Sequence, residues 1–240
     1  MHDYVRHEAG RLRIGAVRQT VAVLRTFTRF LFATGVTGSD LTGCVPSVSG
    51  IRFDGLPKAV DQDSVHALLG GCVLARPVGR RDHAILLLMV RLGLRAVEIA
   101  RMQLGDIDWR AGVLDVRGKG GRRDRLPLPA DVGQALADYL LLARRACSCR
   151  SVFLAASGEP VGMSRNAVVF VSRAASARAG LAVVGGHRLR HTVGTELLRR
   201  GASLHEIGEV LRQSDQMTTS VYAKIDERSL RLAVRPWPAR

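Results

Sequence analysis

The spacing of apolar residues changes along the chain, and each change marks an element. Over residues 12–34, Val17, Val21, Leu24, Phe27 or Phe30, and Leu31 recur at three- and four-residue steps, the period of a helix with one buried face. Gly35 is a fitting stop, because glycine accepts the left-handed backbone that ends helices. Residues 35–58 then mix Gly, Ser, Thr and Pro without a sustained period, which is loop chemistry and a candidate domain boundary. The segment before this boundary is too short to build much core alone. A second block opens near Asp61, where Asp61 or Asp63 can cap a helix running through His66 to Leu69. Arg81 to Leu92 is strongly apolar and long enough for a buried helix.

The period then shortens. Ile107 to Trp109, Val113 to Val116 and Leu126 to Leu128 are brief apolar runs, separated by Ala111-Gly112 and by Gly118-Lys119-Gly120-Gly121. Short runs between turn residues predict two successive hairpins, hence a small three-stranded antiparallel sheet. Helical spacing resumes over Asp131 to Arg145, Ser164 to Ala179, His187 to Arg200, Ser203 to Leu211 and Thr218 to Lys224, and Pro236 and Pro238 close the last stretch. No internal repeat or low-complexity tract interrupts the pattern. The expected fold class is α+β, mainly α: a multihelical domain with one small three-stranded antiparallel sheet, preceded by a short helical piece.

Composition narrows the class. A 47% hydrophobic share suits a chain that buries a core and excludes global disorder. The longest apolar stretch, Ala84 to Val90, is broken by Arg91 and falls short of the roughly 18 residues that span a bilayer, so no membrane partner is expected. The opening MHDYVRHEAG has no apolar signal core, and 4 cysteines in 240 residues are not a disulfide framework. Cys147 and Cys149 form C-x-C, which lacks the usual zinc spacing, so neither a metal nor another cofactor is expected, and the cytoplasm is the expected compartment.

Charge adds a partner. The formal net charge is +15, from 36 Lys and Arg against 21 Asp and Glu, which points to a polyanion, usually nucleic acid. All but Lys58, Lys119 and Lys224 of the basic residues are arginines. A GC-rich genome accounts for Arg in place of Lys, but not for an excess of cations over anions.

Several of these cations occupy constrained positions. Arg95 follows Gly93-Leu94 at the end of the apolar helix, where an arginine is costly to bury without a partner or ligand. Glu98 is three residues on and can share a helical face with it, so a structural ion pair is one reading of both residues. Lys119 sits at a glycine-flanked hairpin tip with Arg117 before it and Arg122, Arg123 and Arg125 after it. Such a run is usually a solvated basic loop that touches phosphates. A lysine in so arginine-rich a chain is nevertheless notable, because lysine can give up a proton where arginine cannot. His187-Arg188-Leu189-Arg190-His191-Thr192 opens a helix after Gly185-Gly186, with His187 and Arg190 on one face. The helix start supplies partial positive charge, Arg190 can bind phosphate through two hydrogen bonds, and His187 can move a proton near neutral pH. Tyr222, in Thr218-Thr219-Ser220-Val221-Tyr222, is either packing or a phenolic nucleophile.

Taken in order, these segments resemble the tyrosine recombinase, or phage integrase, family over about Leu56 to Asp226. G-L-R-A-V-E-I resembles its first arginine box, V-R-G-K-G-G its lysine hairpin, H-R-L-R-H-T its H-x-L-R-H-T box, and L-R-Q-S-D-Q-M-T-T-S-V-Y the segment leading to its nucleophile. Leu56-Pro57 followed by a short helix is similar to its interdomain linker and first catalytic helix.

The resemblance implies a DNA breaking–rejoining fold and a set of roles. Residues 56–240 become the catalytic domain, and residues 1–55 a partial N-terminal core-binding-like segment with its linker. Tyr222 attacks a DNA phosphodiester, forming a 3′-phosphotyrosine bond and freeing a 5′-hydroxyl. Arg95 and Arg190 clamp the non-bridging oxygens, Lys119 protonates the leaving oxygen, and His187 assists proton transfer, with Glu98 supporting Arg95. Arg117, Arg122, Arg123 and Arg125 contact the DNA backbone. The implied partners are double-stranded DNA and further copies of the chain, a synaptic tetramer on paired sites, with no metal or ATP consumed. The chain departs from the family at Gln213, where His or Trp is usual: glutamine can donate a hydrogen bond but cannot shuttle a proton. It also has only one long predicted helix ahead of the linker, where the family has a fuller clamp.

Two other functions compete. A recombinase relic that binds DNA without efficient cleavage accommodates Gln213 and the short N-terminal segment. A helix-turn-helix regulator accommodates Ser203 to Tyr222 but leaves Arg95, Lys119 and the hairpins without a purpose. A metal-dependent nuclease needs clustered carboxylates, and Asp106 with Asp108 is the one close acidic pair on the predicted sheet.

Overall fold

The computed structural model describes residues 2–12, 14–47, 59–118 and 121–212. The chain divides into two compact units, Met1–Asp54 and Gly55–Arg240.

The first unit contains α1 (His2–Arg11) and α2 (Ile14–Ala33), followed by a 3₁₀ turn at Leu41–Cys44 that Asp40 caps through the Thr42 amide at 2.8 Å. Two helices thus stand where the apolar spacing gives only the one over 12–34. The sequence HDYVRHEAGR buries a single side chain, Val5, so α1 leaves no periodic trace. The buried face of α2 also corrects the expected stripe. Val17, Val21 and Thr28 are buried and Leu24 is half-buried, whereas Phe27 and Phe30 are 53% and 58% exposed. Thr28 takes the inward position because its hydroxyl donates to the Arg25 carbonyl of its own helix at 3.1 Å, which lets a polar side chain face the core. Gly35 ends the helix at φ +73°, as expected. Val5, Val17, Val21 and Val45 form the small core of this unit.

The second unit is built around α4 (Pro77–Arg91), against which α3 (Gln62–Gly70), α5 (Ala96–Ala100), α6 (Ala130–Leu142), α7 (Arg165–Arg178) and α8 (Gly186–Arg199) all pack. Ala84, Ile85, Leu86, Leu87, Leu88 and Met89 are buried in succession, so α4 is apolar on every side and enclosed by its neighbours. Each of the larger side chains in this run, from Ile85 to Met89, contributes roughly 1.5–3 kcal/mol by leaving water. At its polar end the buried Arg81 is satisfied by Asp82 at 2.8 Å and by the Leu154 carbonyl at 3.1 Å. The Tyr139 hydroxyl accepts from the Leu154 amide and fixes the same loop.

The expected sheet is present: β1 (Ile107–Asp108), β2 (Val113–Arg117) and β3 (Arg123–Pro127), antiparallel in that order. Ile107, Leu114, Val116 and Leu126 face the core. Pairing of Asp115 with Arg125 and of Arg117 with Arg123 puts three guanidiniums on the opposite, solvent face. Asp61 caps α3 through the Ser64 amide at 2.7 Å, Ser164 caps α7, and Ser203 caps α9 (Leu204–Val210). The helix expected over Thr218 to Lys224 and the linker at Leu56-Pro57 lie outside the described residues, as do Lys119, Gln213 and Tyr222.

One turn ties α4 to the residue that follows α9. Gly93 leaves α4 with φ +58°, and a β-carbon there would lie 2.9 Å from Leu211 Cδ2. The backbone angle favours glycine, and the contact would oblige the end of the Leu211 side chain to shift. Gly93→Ala is expected to lower unfolding stability by about 2 kcal/mol or more in urea titration. A loss below about 0.5 kcal/mol would show that Leu211 and the backbone relax freely.

Candidate active site

The turn at Gly93 and the start of α8 bring together side chains that are distant in sequence. Arg190, buried within the first two turns of α8, donates from Nη1 to the Gly93 carbonyl at 2.6 Å. Two residues further on, Thr192 Oγ1 accepts the Val60 amide at 2.8 Å, which ties the chain entering α3 to the same helix. Leu189 and Val193 fill the inward stripe of α8, as its spacing predicts, and Leu197 packs beside it. Gly185 caps the helix without a side chain, leaving the amides of the first turn beside His187.

Arg95 caps α5, where its amide and guanidinium meet one carboxylate. Glu98 Oε2 accepts the Arg95 amide at 2.7 Å, and Glu98 Oε1 accepts Arg95 Nη1 at 2.8 Å. The expected burial is reversed within this pair. The Glu98 side chain is 2% exposed, whereas that of Arg95 is 39% exposed and extends toward solvent. The energetic demand therefore falls on the carboxylate, and a second cation answers it: Arg212 Nη2 donates to Glu98 Oε2 at 2.9 Å, with both side chains almost wholly enclosed. Burial works to raise the Glu98 carboxyl, but Arg212, the Arg95 amide and the Arg95 guanidinium outweigh it and hold the group below its ordinary range.

Arg212 was not legible as part of this site. A basic residue after a short helix reads as a surface cation near the helix C-terminus. In the structure it has φ +51°, the one positive φ of a non-glycine residue among those described. An L-residue bears roughly 1–2 kcal/mol of strain there.

His187 lies within the field of the Arg190 and Arg95 guanidiniums. Burial lowers its pKa first, and Arg190 and Arg95 lower it further. His191 stacks edge-on against it, with ring centroids 5.3 Å apart, and is lowered by burial, His187 and Arg190. Both imidazoles are thus biased toward the neutral form, while the cations around them suit an anion. Arg95, His187 and Arg190 are brought together at this point, whereas Arg117, Arg122, Arg123 and Arg125 lie on and beside the sheet. Arg117 pairs with the buried Asp106 at 2.8 Å, Arg122 with Asp124 at 2.7 Å, and Arg125 with Asp115 at 3.4 Å. Asp106 and Asp108 are occupied by arginines and backbone amides, and among the described residues no group of three His, Cys, Asp or Glu could hold a metal ion.

The phage integrase family model matches residues 58–228, which takes in the whole of this arrangement. The chain belongs to the phage integrase family. Among sequence relatives, this integrase-family chain is 40% identical over 239 residues to the integrase/recombinase y4rA of Sinorhizobium fredii, an alignment covering 98% of the chain and 58% of that protein. It is 33% identical over 228 residues to the tyrosine recombinase XerD of Mycobacterium tuberculosis, covering 91% and 72% of the two. It thus spans little more than half the length of its Sinorhizobium relatives, 58% and 52% of two of them. The fold is that of the XerH recombinase in its pre-cleavage complex with difH (TM-score 0.75, 18% identity, 97% of this chain and 68% of that one). It is also that of a lambda integrase dimer bound to a COC′ core site (TM-score 0.70, 15% identity, 100% and 81%). Among the described residues, no helix of this family member is long and apolar enough to cross a membrane.

Two expectations follow from the site. Glu98→Gln leaves two guanidiniums around a neutral amide, so stability should fall by about 3 kcal/mol in urea unfolding; a loss under about 1 kcal/mol would mean that solvent or another group takes over. His187 and His191 have folded-state pKa values below the ordinary 6.5, so the unfolded chain binds protons more readily and stability is lost as pH falls through and below that value. Melting temperature should therefore decline as pH drops from about 7.5 to 5.5, and the doubly substituted His187→Gln, His191→Gln protein should show a flatter profile.

Proposed function

We propose that the chain is a site-specific DNA recombinase that breaks and rejoins double-stranded DNA through a 3′-phosphotyrosine intermediate. The observation that carries this reading is the convergence of Arg95, Arg190 and a neutral-biased His187 at the start of α8, in a member of the phage integrase family. In this reading the Tyr222 oxygen forms a bond to phosphorus as the bond from phosphorus to the 5′-oxygen breaks. His187 assists removal of the phenolic proton, and Lys119 delivers a proton to the departing 5′-oxygen. Arg95 and Arg190 bind the non-bridging oxygens, where negative charge grows in the transition state. Gln213 donates a hydrogen bond to the same phosphate. The phosphotyrosine bond retains the energy of the broken linkage, so a free 5′-hydroxyl can reverse the reaction without ATP.

Arg117, Arg122, Arg123 and Arg125 bind the DNA backbone beside the cut. Arg117 and Arg123 face each other across β2 and β3, a repulsive pairing of like charges that a phosphate relieves. Residues 1–55 contribute to the grip on DNA, and several copies of the chain act on paired sites to exchange strands.

The test uses a duplex first selected from a randomised library by binding to the protein, then nicked near the bound centre so that cleavage releases a short fragment and traps the intermediate. A covalent protein–DNA adduct is expected on a denaturing gel, falling below detection in Tyr222→Phe while duplex binding persists. Tight, selective binding without any adduct would instead identify a DNA-binding relic.

A further inference from the structure

We propose that Arg212 is a positioning residue for Arg95, a third guanidinium that neutralises Glu98 so that the charge of Arg95 stays available to the scissile phosphate. This rests on the recombinase reading above and adds to it a residue and a physical role. The argument begins with the carboxylate. Glu98 carries one negative charge and is 2% exposed, so it needs a cation within hydrogen-bonding distance. Arg95 alone could supply that cation at 2.8 Å. Its charge would then be cancelled locally by its own partner, and an incoming phosphate would compete with Glu98 for it. Arg212 changes this balance. Its Nη2 donates to Oε2 at 2.9 Å, from a side chain only 3% exposed, while Oε1 receives Arg95 Nη1. Two guanidiniums now surround one carboxylate, and the surplus positive charge is carried by the member that reaches solvent, Arg95.

The geometry of Arg212 fits such a role better than that of an ordinary helix-end cation. Its backbone is held at φ +51°, and its Nη1 is tied to the Val210 carbonyl at 3.1 Å, which aims the guanidinium inward rather than into water. The neighbouring Leu211 fills the space left by Gly93, from which Arg190 is also held. One short segment therefore meets the residues that hold both arginines proposed to bind phosphate, Glu98 for Arg95 and Gly93 for Arg190. Residue 212 also directly precedes Gln213 in sequence.

The decisive comparison is between Arg212→Gly, Arg212→Lys and the double variant Arg212→Gly, Glu98→Gln. Glycine accepts φ +51° without strain, so the backbone is preserved. Adduct formation on the nicked duplex at saturating protein should slow by about tenfold or more in Arg212→Gly and recover in part in Arg212→Lys. It should recover further in the double variant, because the neutral amide that replaces the Glu98 carboxylate no longer cancels Arg95. A purely structural role predicts the reverse, with the double variant worse than either single change. A parental rate in Arg212→Gly, or additive losses in the double variant, would overturn the proposal.

A second readout does not depend on cleavage. Inorganic phosphate at millimolar concentration should raise the melting temperature of the parental protein, an effect abolished by Arg95→Ala, at least halved in Arg212→Gly and restored in the double variant. If the parental protein forms no adduct but shows this pattern, the recombinase reading fails and the role of Arg212 stands. A phosphate effect unchanged by Arg212→Gly sinks the role of Arg212 whatever the cleavage result.

Discussion

The second unit depends on how closely α8 and α9 can approach the end of α4. Gly93 suits that approach, since its φ of +58° favours glycine and a β-carbon there would press on the end of the Leu211 side chain, and its carbonyl is the acceptor for the buried Arg190. The apolar cluster around α4 and the smaller one of Val193, Ile207 and Leu211 adjoin at this turn. Moving the turn outward would strand the Arg190 guanidinium without its carbonyl and open space beside Leu211. A buried cation that loses an acceptor is costly, so packing and polar satisfaction reinforce each other here. The chemistry proposed for the site uses this rigidity: Arg95 follows Gly93 by two residues and inherits its position from the same turn.

Charge is distributed with similar constraint. Glu98 is nearly inaccessible and accepts from three donors on two residues, and Asp106, also buried, accepts Arg117 and the Gln103 amide. Each carboxylate sits beneath a more exposed arginine. This placement orients the guanidinium without hiding it, which a surface ion pair between two flexible side chains does not do. It also explains why a chain with a net charge of +15 keeps its acids close to its proposed phosphate-binding residues: they organise the cations they partly neutralise.

Most of the second unit was legible because its elements report themselves by period. The enclosed helix α4, the two hairpins and the Ser-capped helices α7 and α9 leave local marks, in apolar runs, turn glycines and capping residues. The first unit was harder. α1 buries only Val5, and α2 points Thr28 inward where phenylalanines dominate the sequence, so hydrophobicity alone chose the wrong stripe at Phe27 and Phe30. The site divides in the same way. Arg95 with Glu98 and His187 with Arg190 stand in local motifs, each pair three residues apart. Arg212 is 114 residues from Glu98, and its burial depends on a left-handed backbone that an arginine does not advertise. Long-range pairing to a buried acid has no local signature.

The same reasoning bears on the solvent face of the sheet. Arg117 and Arg123 are directly opposed across β2 and β3, with Arg125 two pairs further along on the same face. A solvated loop has no reason to keep such a row in register, since like charges across a sheet repel. Asp106 offsets Arg117, and Asp115 lies near Arg125 at 3.4 Å, but Arg123 adds its charge to the row without an acidic partner on its paired residue. The hairpin between these strands also carries Lys119. Repulsion that the folded chain only partly cancels would be lowered by a polyanion laid along this face, and the strands hold the backbone of the row in register. On the recombinase reading proposed above, the backbone carrying these cations is ordered before DNA binds, so less ordering cost falls on binding than for the same residues on a loose loop.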